Sequence, residues 1–276
     1  MNDVVLLVGH GSREQPGNDE FLRFCEAARP HLGPEALETC FIELTTPLVP
    51  ESLDRCVEGG ARRIVMLPVI LMAAGHVKVE LPHELDEAKE RHPGVDFRYG
   101  RHIGLDPLVI QIVMQRLAEV EDQTQWAPDE TAVLVVGRGS SDPDANSDLF
   151  KLARLLWEAR RYRWVETCFI GVTGPTLPEG LERCAILGAR RILVVPYFLF
   201  TGVLIPRIHR IVGEFLDGHP GVQARLADYL NAHPNLFRVL RERKEEVLRG
   251  DARMNCALCK YRIALPGHEH AVTAPA

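Results

Sequence analysis

Two kinds of hydrophobic pattern alternate along this chain. Short apolar runs rich in Val, Ile and Leu, at residues 4–8, 37–43, 63–72 and 95–99, predict β-strands. Between them, residues 18–29, 49–58, 79–91 and 108–120 carry apolar side chains at helical spacing, as Phe21, Phe24, Cys25 and Ala28 do in the first. Strands that are apolar almost throughout fit a sheet covered on both faces. Their alternation with helices implies right-handed crossovers, so the predicted fold class is α/β, a parallel sheet with helices on both faces.

The whole pattern is written twice. Gly9-His10-Gly11-Ser12 returns as Gly137-Arg138-Gly139-Ser140, and Glu38-Thr39-Cys40-Phe41-Ile42 returns as Glu166-Thr167-Cys168-Phe169-Ile170, at an offset of 128 residues. After a one-residue deletion near position 75 the offset is 127, which pairs His92-Pro93-Gly94-Val95 with His219-Pro220-Gly221-Val222 and Pro107 with Pro234. Two tandem domains are therefore expected at residues 1–121 and 131–248, joined by a polar linker at 122–130 and followed by an unrepeated tail at 249–276.

Such a repeat is an internal control, because what both copies keep is attributable to the fold and what one copy keeps alone points to function. His10, Glu43 and His76 belong to the second group: their counterparts are Arg138, Gly171 and an aliphatic residue, Val203 or Leu204 according to the placement of the gap. Ligands of an open parallel sheet bind beyond the C-terminal ends of its strands. His10 follows the first strand, Glu43 ends the second and His76 follows the third, so two imidazoles and a carboxylate share one edge, an arrangement suited to a divalent metal ion. His92 and His219 recur at a His-Pro-Gly turn and belong to the fold. Cys40 and Cys56 recur as Cys168 and Cys184, which marks them as small buried side chains, and Cys25 lies on a helix face.

Composition narrows the field. The chain has 276 residues, 46% apolar, with a formal charge of −6 and no run of Lys and Arg interleaved with aromatic residues, so nucleic acid is not an expected partner. The longest apolar run, residues 192–205, contains Pro196 and Gly202 and is shorter than the roughly 20 residues of a membrane helix. With a strand starting directly at the N-terminus and no leader-like segment, a cytoplasmic location and no membrane association are expected. The Gly9-His10-Gly11-Ser12 loop has the look of an anion cradle. It lacks a Walker lysine and a Gly-x-Gly-x-x-Gly pattern, and Ser12 is not in the Gly-x-Ser-x-Gly context of a hydrolase elbow.

At Leu7-Val8-Gly9-His10-Gly11-Ser12-Arg13, Phe41-Ile42-Glu43 and Pro68-Val69-Ile70-Leu71-Met72-Ala73-Ala74-Gly75-His76-Val77, the sequence resembles the class II chelatases, specifically the sirohydrochlorin cobaltochelatase and ferrochelatase family. The resemblance covers nearly the whole chain. It implies two repeats of a chelatase-like domain, the first carrying the active site and the second degenerate, and hence a monomer equivalent to a fused dimer. It also implies ATP-independent insertion of Co(II) or Fe(II), the metal substrate, into sirohydrochlorin. His10 and His76 would hold the ion and accept pyrrole protons. Glu43 would orient an imidazole, ligate the ion or relay protons. Ser12, Arg13, Lys78, Arg138, Ser140 and Ser141 are the candidate partners of the eight substrate carboxylates.

The tail contains Cys256-x-x-Cys259, which resembles the C-terminal Met-x-Cys-x-x-Cys element associated with an iron–sulfur cluster in long-form cobaltochelatases. Two thiolates do not complete a [4Fe–4S] centre, so a cluster needs further ligands or dimerisation through the tail. A zinc site would need help from His268 and His270, and two free thiols are the simplest alternative. Three functions compete: cobalt insertion for cobalamin synthesis, iron insertion for sirohaem, and non-catalytic carriage of a metal or tetrapyrrole.

Overall fold

The structure is a computed structural model that describes residues 3–254 and 260–261; Cys256, Cys259, His268 and His270 lie outside the described residues. Strands β1 (Asp3–Gly9), β2 (Ala36–Phe41), β3 (Arg63–Pro68) and β4 (Asp96–Tyr99) form one parallel sheet in the order β2-β1-β3-β4. Strands β5 (Ala132–Gly137), β6 (Trp164–Phe169), β7 (Arg191–Pro196) and β8 (Gln223–Leu226) repeat that order in a second sheet.

The first sheet is accompanied by α1 (Gln15–Leu32), α2 (Val49–Glu58) and α3 (Leu81–Arg91), and the second by α5 (Pro143–Arg160), α6 (Leu177–Ile186) and α7 (Leu204–Gly218). Central strand residues are closed off on both sides: Leu6, Leu7, Ile64 and Met66 are fully buried, as are Leu134, Val135, Ile192 and Val194. Burying each such side chain is worth about 1.5–3 kcal/mol relative to leaving it exposed. Cys25, Cys40, Cys56, Cys168 and Cys184 are free thiols inside these cores. Desolvation pushes Cys56 and Cys184 up to about 11 and about 12, so neither is a thiolate at neutral pH.

The compact units depart from the linear repeats. One unit comprises residues 1–104, 142–144 and 236–276, and the other 105–141 and 145–235. The expected boundaries at 121 and 131 therefore cut the repeats but not the packing units: α4 (Pro107–Thr124) belongs with the second sheet and α8 (Pro234–Arg249) largely with the first. The expected linker also shifts, since 122–124 extend α4 and Gln125 ends it at φ 55°.

A pair of arginines records this exchange of helices. In the first unit Arg243 of α8, 1% exposed, donates from Nε and Nη2 to the carbonyls of His102 and Ile103. In the second unit Arg116 of α4 donates in the same way to the carbonyls of Tyr229 and Leu230. Each arginine satisfies backbone acceptors in the loop following a sheet's last strand, and such acceptors are costly to bury unpaired. Offset periodicity marks Arg116 and Arg243 as equivalent positions, but it carries no signal that each serves the other repeat's sheet.

Candidate metal centre

Pro68 ends β3 earlier than the apolar run suggested, because proline supplies no N–H to a ladder. Residues 69–75 consequently form the loop that delivers His76. β2 likewise stops at Phe41, which moves Glu43 two residues beyond the strand. Its position is nevertheless pinned, since Ile42 N donates to Gly9 O at 2.9 Å and Glu43 N to His10 O at 3.1 Å. The β1 and β2 loops approach so closely that a Cβ on Gly11, at φ 89°, would sit 1.9 Å from Glu43 O. Only glycine fits there.

At this edge of the first sheet His10, Glu43 and His76 converge, with one potential ligand atom from each lying within 4.8 Å of the others. The two imidazole rings meet edge to face with centroids 5.0 Å apart, and His10 Nε2 is 3.7 Å from Glu43 Oε1. All three side chains are partly exposed, so the cluster is open to a ligand.

Hydrogen bonds orient both rings. His10 Nδ1 is 3.2 Å from the Gly11 carbonyl and His76 Nδ1 is 2.7 Å from Glu80 Oε2. A carbonyl or ionised carboxylate only accepts, so Nδ1 carries the proton in each neutral ring and Nε2 carries the lone pair. A metal-ligating histidine is held by this kind of outer contact. Glu80 is the site residue that sequence reading missed. Its signal is the i, i+4 spacing from His76, obscured because His76–Glu80 is a π-helical turn ahead of α3.

The expected substrate contacts divide. Arg13 is exposed beside the first loop. Ser12 is held by Asn18, whose side chain accepts from Ser12 N at 2.9 Å and donates to Ser12 O at 2.9 Å, while Ser12 Oγ accepts from Glu14 N. The second repeat uses Asn146 on Ser140 in the same way, so this lock belongs to the fold. Arg138 and Ser141 are exposed and Ser140 is half-buried in the second unit, at the end of β5.

Lys78 requires a correction. Its side chain is 6% exposed and its ammonium donates to Asp142 and Asp144, both at 2.8 Å. Burial works against the charge, but the two carboxylates outweigh it and raise the Lys78 pKa. An ammonium so engaged ties the turn after His76 to the segment 142–144 instead of waiting for a substrate carboxylate.

Behind these loops His102 is partly buried, with an enclosed Nδ1 that has no hydrogen-bond partner among the described residues. Desolvation first, then the charges of Arg243, Arg101 and Lys78, lower its pKa to about 3. It is therefore a neutral imidazole at physiological pH.

The duplicated parallel fold and the His-Glu-His cluster define a metal chelatase of the class that the motifs resemble. The chain belongs to the CbiX family, which matches residues 4–120 and 132–247. It is 46% identical over 265 residues to the sirohydrochlorin cobaltochelatase of Priestia megaterium, covering 96% of this chain and 86% of that protein. It is 34% identical over 246 residues to the sirohydrochlorin ferrochelatase of the same organism, covering 89% and 91%. The solved sirohydrochlorin chelatase SirB from Bacillus subtilis subspecies spizizenii, in complex with cobalt, superposes with a TM-score of 0.76 at 30% identity, covering 91% of this chain and 97% of that one.

Proposed function

We infer that this chain is a sirohydrochlorin chelatase, a lyase that inserts Co(II) into the tetrapyrrole for cobalamin synthesis without nucleotide hydrolysis. The observation that carries this reading is the His10–Glu43–His76 cluster, with both Nε2 lone pairs made available by contacts at Nδ1. Cobalt is preferred to iron because identity to the cobaltochelatase, 46%, exceeds that to the ferrochelatase, 34%, over comparable spans. Fe(II) insertion for sirohaem is the second reading, since neutral imidazoles suit either ion.

In this mechanism His10 and His76 hold the incoming ion through Nε2. Metal entry displaces two N–H protons from the macrocycle, and as the ion leaves the two imidazoles their freed Nε2 lone pairs can receive them. Glu43, 45% exposed and 3.7 Å from His10, passes protons outward. Arg13, Arg138, Ser140 and Ser141 are proposed to engage substrate carboxylates. The five buried free thiols suit a reducing compartment, and a cytoplasmic enzyme is the reading adopted. Among the described residues no helix is long and apolar enough to cross a membrane.

The test is anaerobic insertion into sirohydrochlorin, followed by absorbance, with Co(II), Fe(II) and Ni(II) offered separately. Many turnovers with Co(II), lost in His10→Ala/His76→Ala, are expected. A single equivalent of product per protein would instead identify a carrier, and faster turnover with Fe(II) would make it an iron chelatase.

A further inference from the structure

Tyr261 lies beyond α8, where the chain has no counterpart in the repeat, yet it reaches the loop that bears His76. Tyr261 places its hydroxyl 3.0 Å from the point where a Gly75 Cβ would lie, and its Cζ 4.0 Å from the same point. Glu80 Oε1 is 3.9 Å from that point. Gly75 immediately precedes the π-helical turn, and Glu80, at its other end, receives the His76 Nδ1 hydrogen bond. The hydroxyl end of the tyrosine thus lies against the side-chain space that Gly75 leaves, and the Glu80 carboxylate borders the same space.

Its sequence neighbour is buried. Lys260 is 8% exposed, unusual for a lysine in a tail, and its ammonium lies 5.1 Å from the Tyr261 ring centroid. All of these residues belong to the first unit. In the second repeat α7 begins at Leu204 without a π-helical turn, and Arg207 stands where Glu80 stands. Tyr261 therefore lies at the sheet edge that has kept its imidazoles.

We propose that Tyr261 is a positioning residue of the metal centre: by filling the space beside Gly75 it holds the His76–Glu80 turn in the geometry that presents His76 Nε2. This rests on the reading of His10 and His76 as metal ligands. It makes Tyr261 a working part of the chelatase site, and it accounts for a glycine at position 75, whose φ of −47° any residue can adopt. There glycine is needed for space, not for backbone freedom.

The test is titration of the full-length protein with Co(II), following the visible ligand-field bands of the bound ion, without tetrapyrrole. Tyr261→Ala is expected to weaken Co(II) binding by about tenfold and to alter the band pattern, as loss of an outer contact does at other metal sites. Gly75→Ala is expected to do the same, because its methyl meets the hydroxyl. Combined, Gly75→Ala/Tyr261→Ala should be no worse than either alone, since removing the ring removes the clash. Tyr261→Phe, which keeps the ring, should retain most of the wild-type affinity.

Unchanged affinity and bands in Tyr261→Ala would overturn the proposal, and so would additive losses in the double variant. Wild-type Co(II) binding that is insensitive to His10→Ala/His76→Ala would remove the metal-site reading itself, and this inference with it.

Discussion

The two sheet edges share a backbone frame at two loops and part at the third. In the first unit Ile42 and Glu43 donate to Gly9 and His10; in the second Ile170 and Gly171 donate to Gly137 and Arg138, at 2.9 and 3.1 Å in both. Gly11 and Gly139 have φ of 89° and 88°, each allowing a carbonyl to approach. Even Leu44 and Val172, next along, share the left-handed conformation that branched residues adopt at a cost of order 1–3 kcal/mol. After β3 and β7 the likeness stops. One edge has a π-helical turn with His76 and Glu80. The other has a plain helix start with exposed Val203, and an open groove of about 470 Å³ flanked by Arg207. The two edges thus differ in side chain alone at two positions and in both side chain and backbone at the third.

The largest effect expected from this asymmetry is on turnover. His10→Ala/His76→Ala should lower kcat by about 100-fold to 10,000-fold, the range associated with removing positioned proton-transfer groups. Arg138→Ala, at the position of His10 in the other repeat, should instead raise KM for sirohydrochlorin with little change in kcat. Equal losses through KM in both variants would erase the distinction between the edges.

Lys78 tests whether its charge serves substrate or fold. Lys78→Met leaves Asp142 and Asp144 without their shared ammonium and should cost about 3–5 kcal/mol of stability, read from urea unfolding. A stable Lys78→Met with a raised KM would restore the substrate-binding role. Arg243→Ala should cost about 3 kcal/mol, because it strands the carbonyls of His102 and Ile103, while Glu246 keeps its pair with Arg101. Arg116→Ala should cost less, its side chain being 17% exposed. Equal costs would deny that the first unit depends more on its exchanged helix.

His102 gives a smaller, pH-dependent difference. Its pKa of about 3 lies below the ordinary histidine value of about 6.5, so between these pH values the unfolded chain binds a proton that the folded chain does not. Stability contributed by His102 is full above pH 6.5 and falls as pH drops toward 3. His102→Gln should flatten that part of the stability profile, measured as the urea midpoint at pH 7.5 and pH 4.5; an unchanged slope would mean that the ring is not held neutral. The smallest expected effect is a null one. Grafting Arg138→His/Gly171→Glu/Val203→His should leave one tight Co(II) site per chain, because the second edge lacks the π-helical turn. Two sites would show that side chains alone suffice.

The order of strands and helices was legible because burial on both sheet faces forces apolar runs, and helical periodicity separates them. The repeat made His10, Glu43 and His76 legible too, since a ligand set present in one copy and replaced in the other stands out against glycines and cysteines kept in both. Element ends were less legible: β2 and β3 end at Phe41 and Pro68, while hydrophobicity runs on.

What the sequence by itself determined is the duplicated α/β architecture and the three residues, His10, Glu43 and His76, that meet at one sheet edge, all consequences of local periodicity and of one copy serving as control for the other. The tertiary structure alone decided the remainder. It turned Lys78 from a substrate contact into a buried ion-pair partner, added Glu80 and Tyr261 to the surroundings of His76, and gave each sheet the last helix of the other repeat. The physical reason is common to these cases. Each depends on which distant groups share a small volume, and close packing and charge neutralisation settle that among residues far apart in the chain, as Gly75 and Tyr261, 186 positions apart, are.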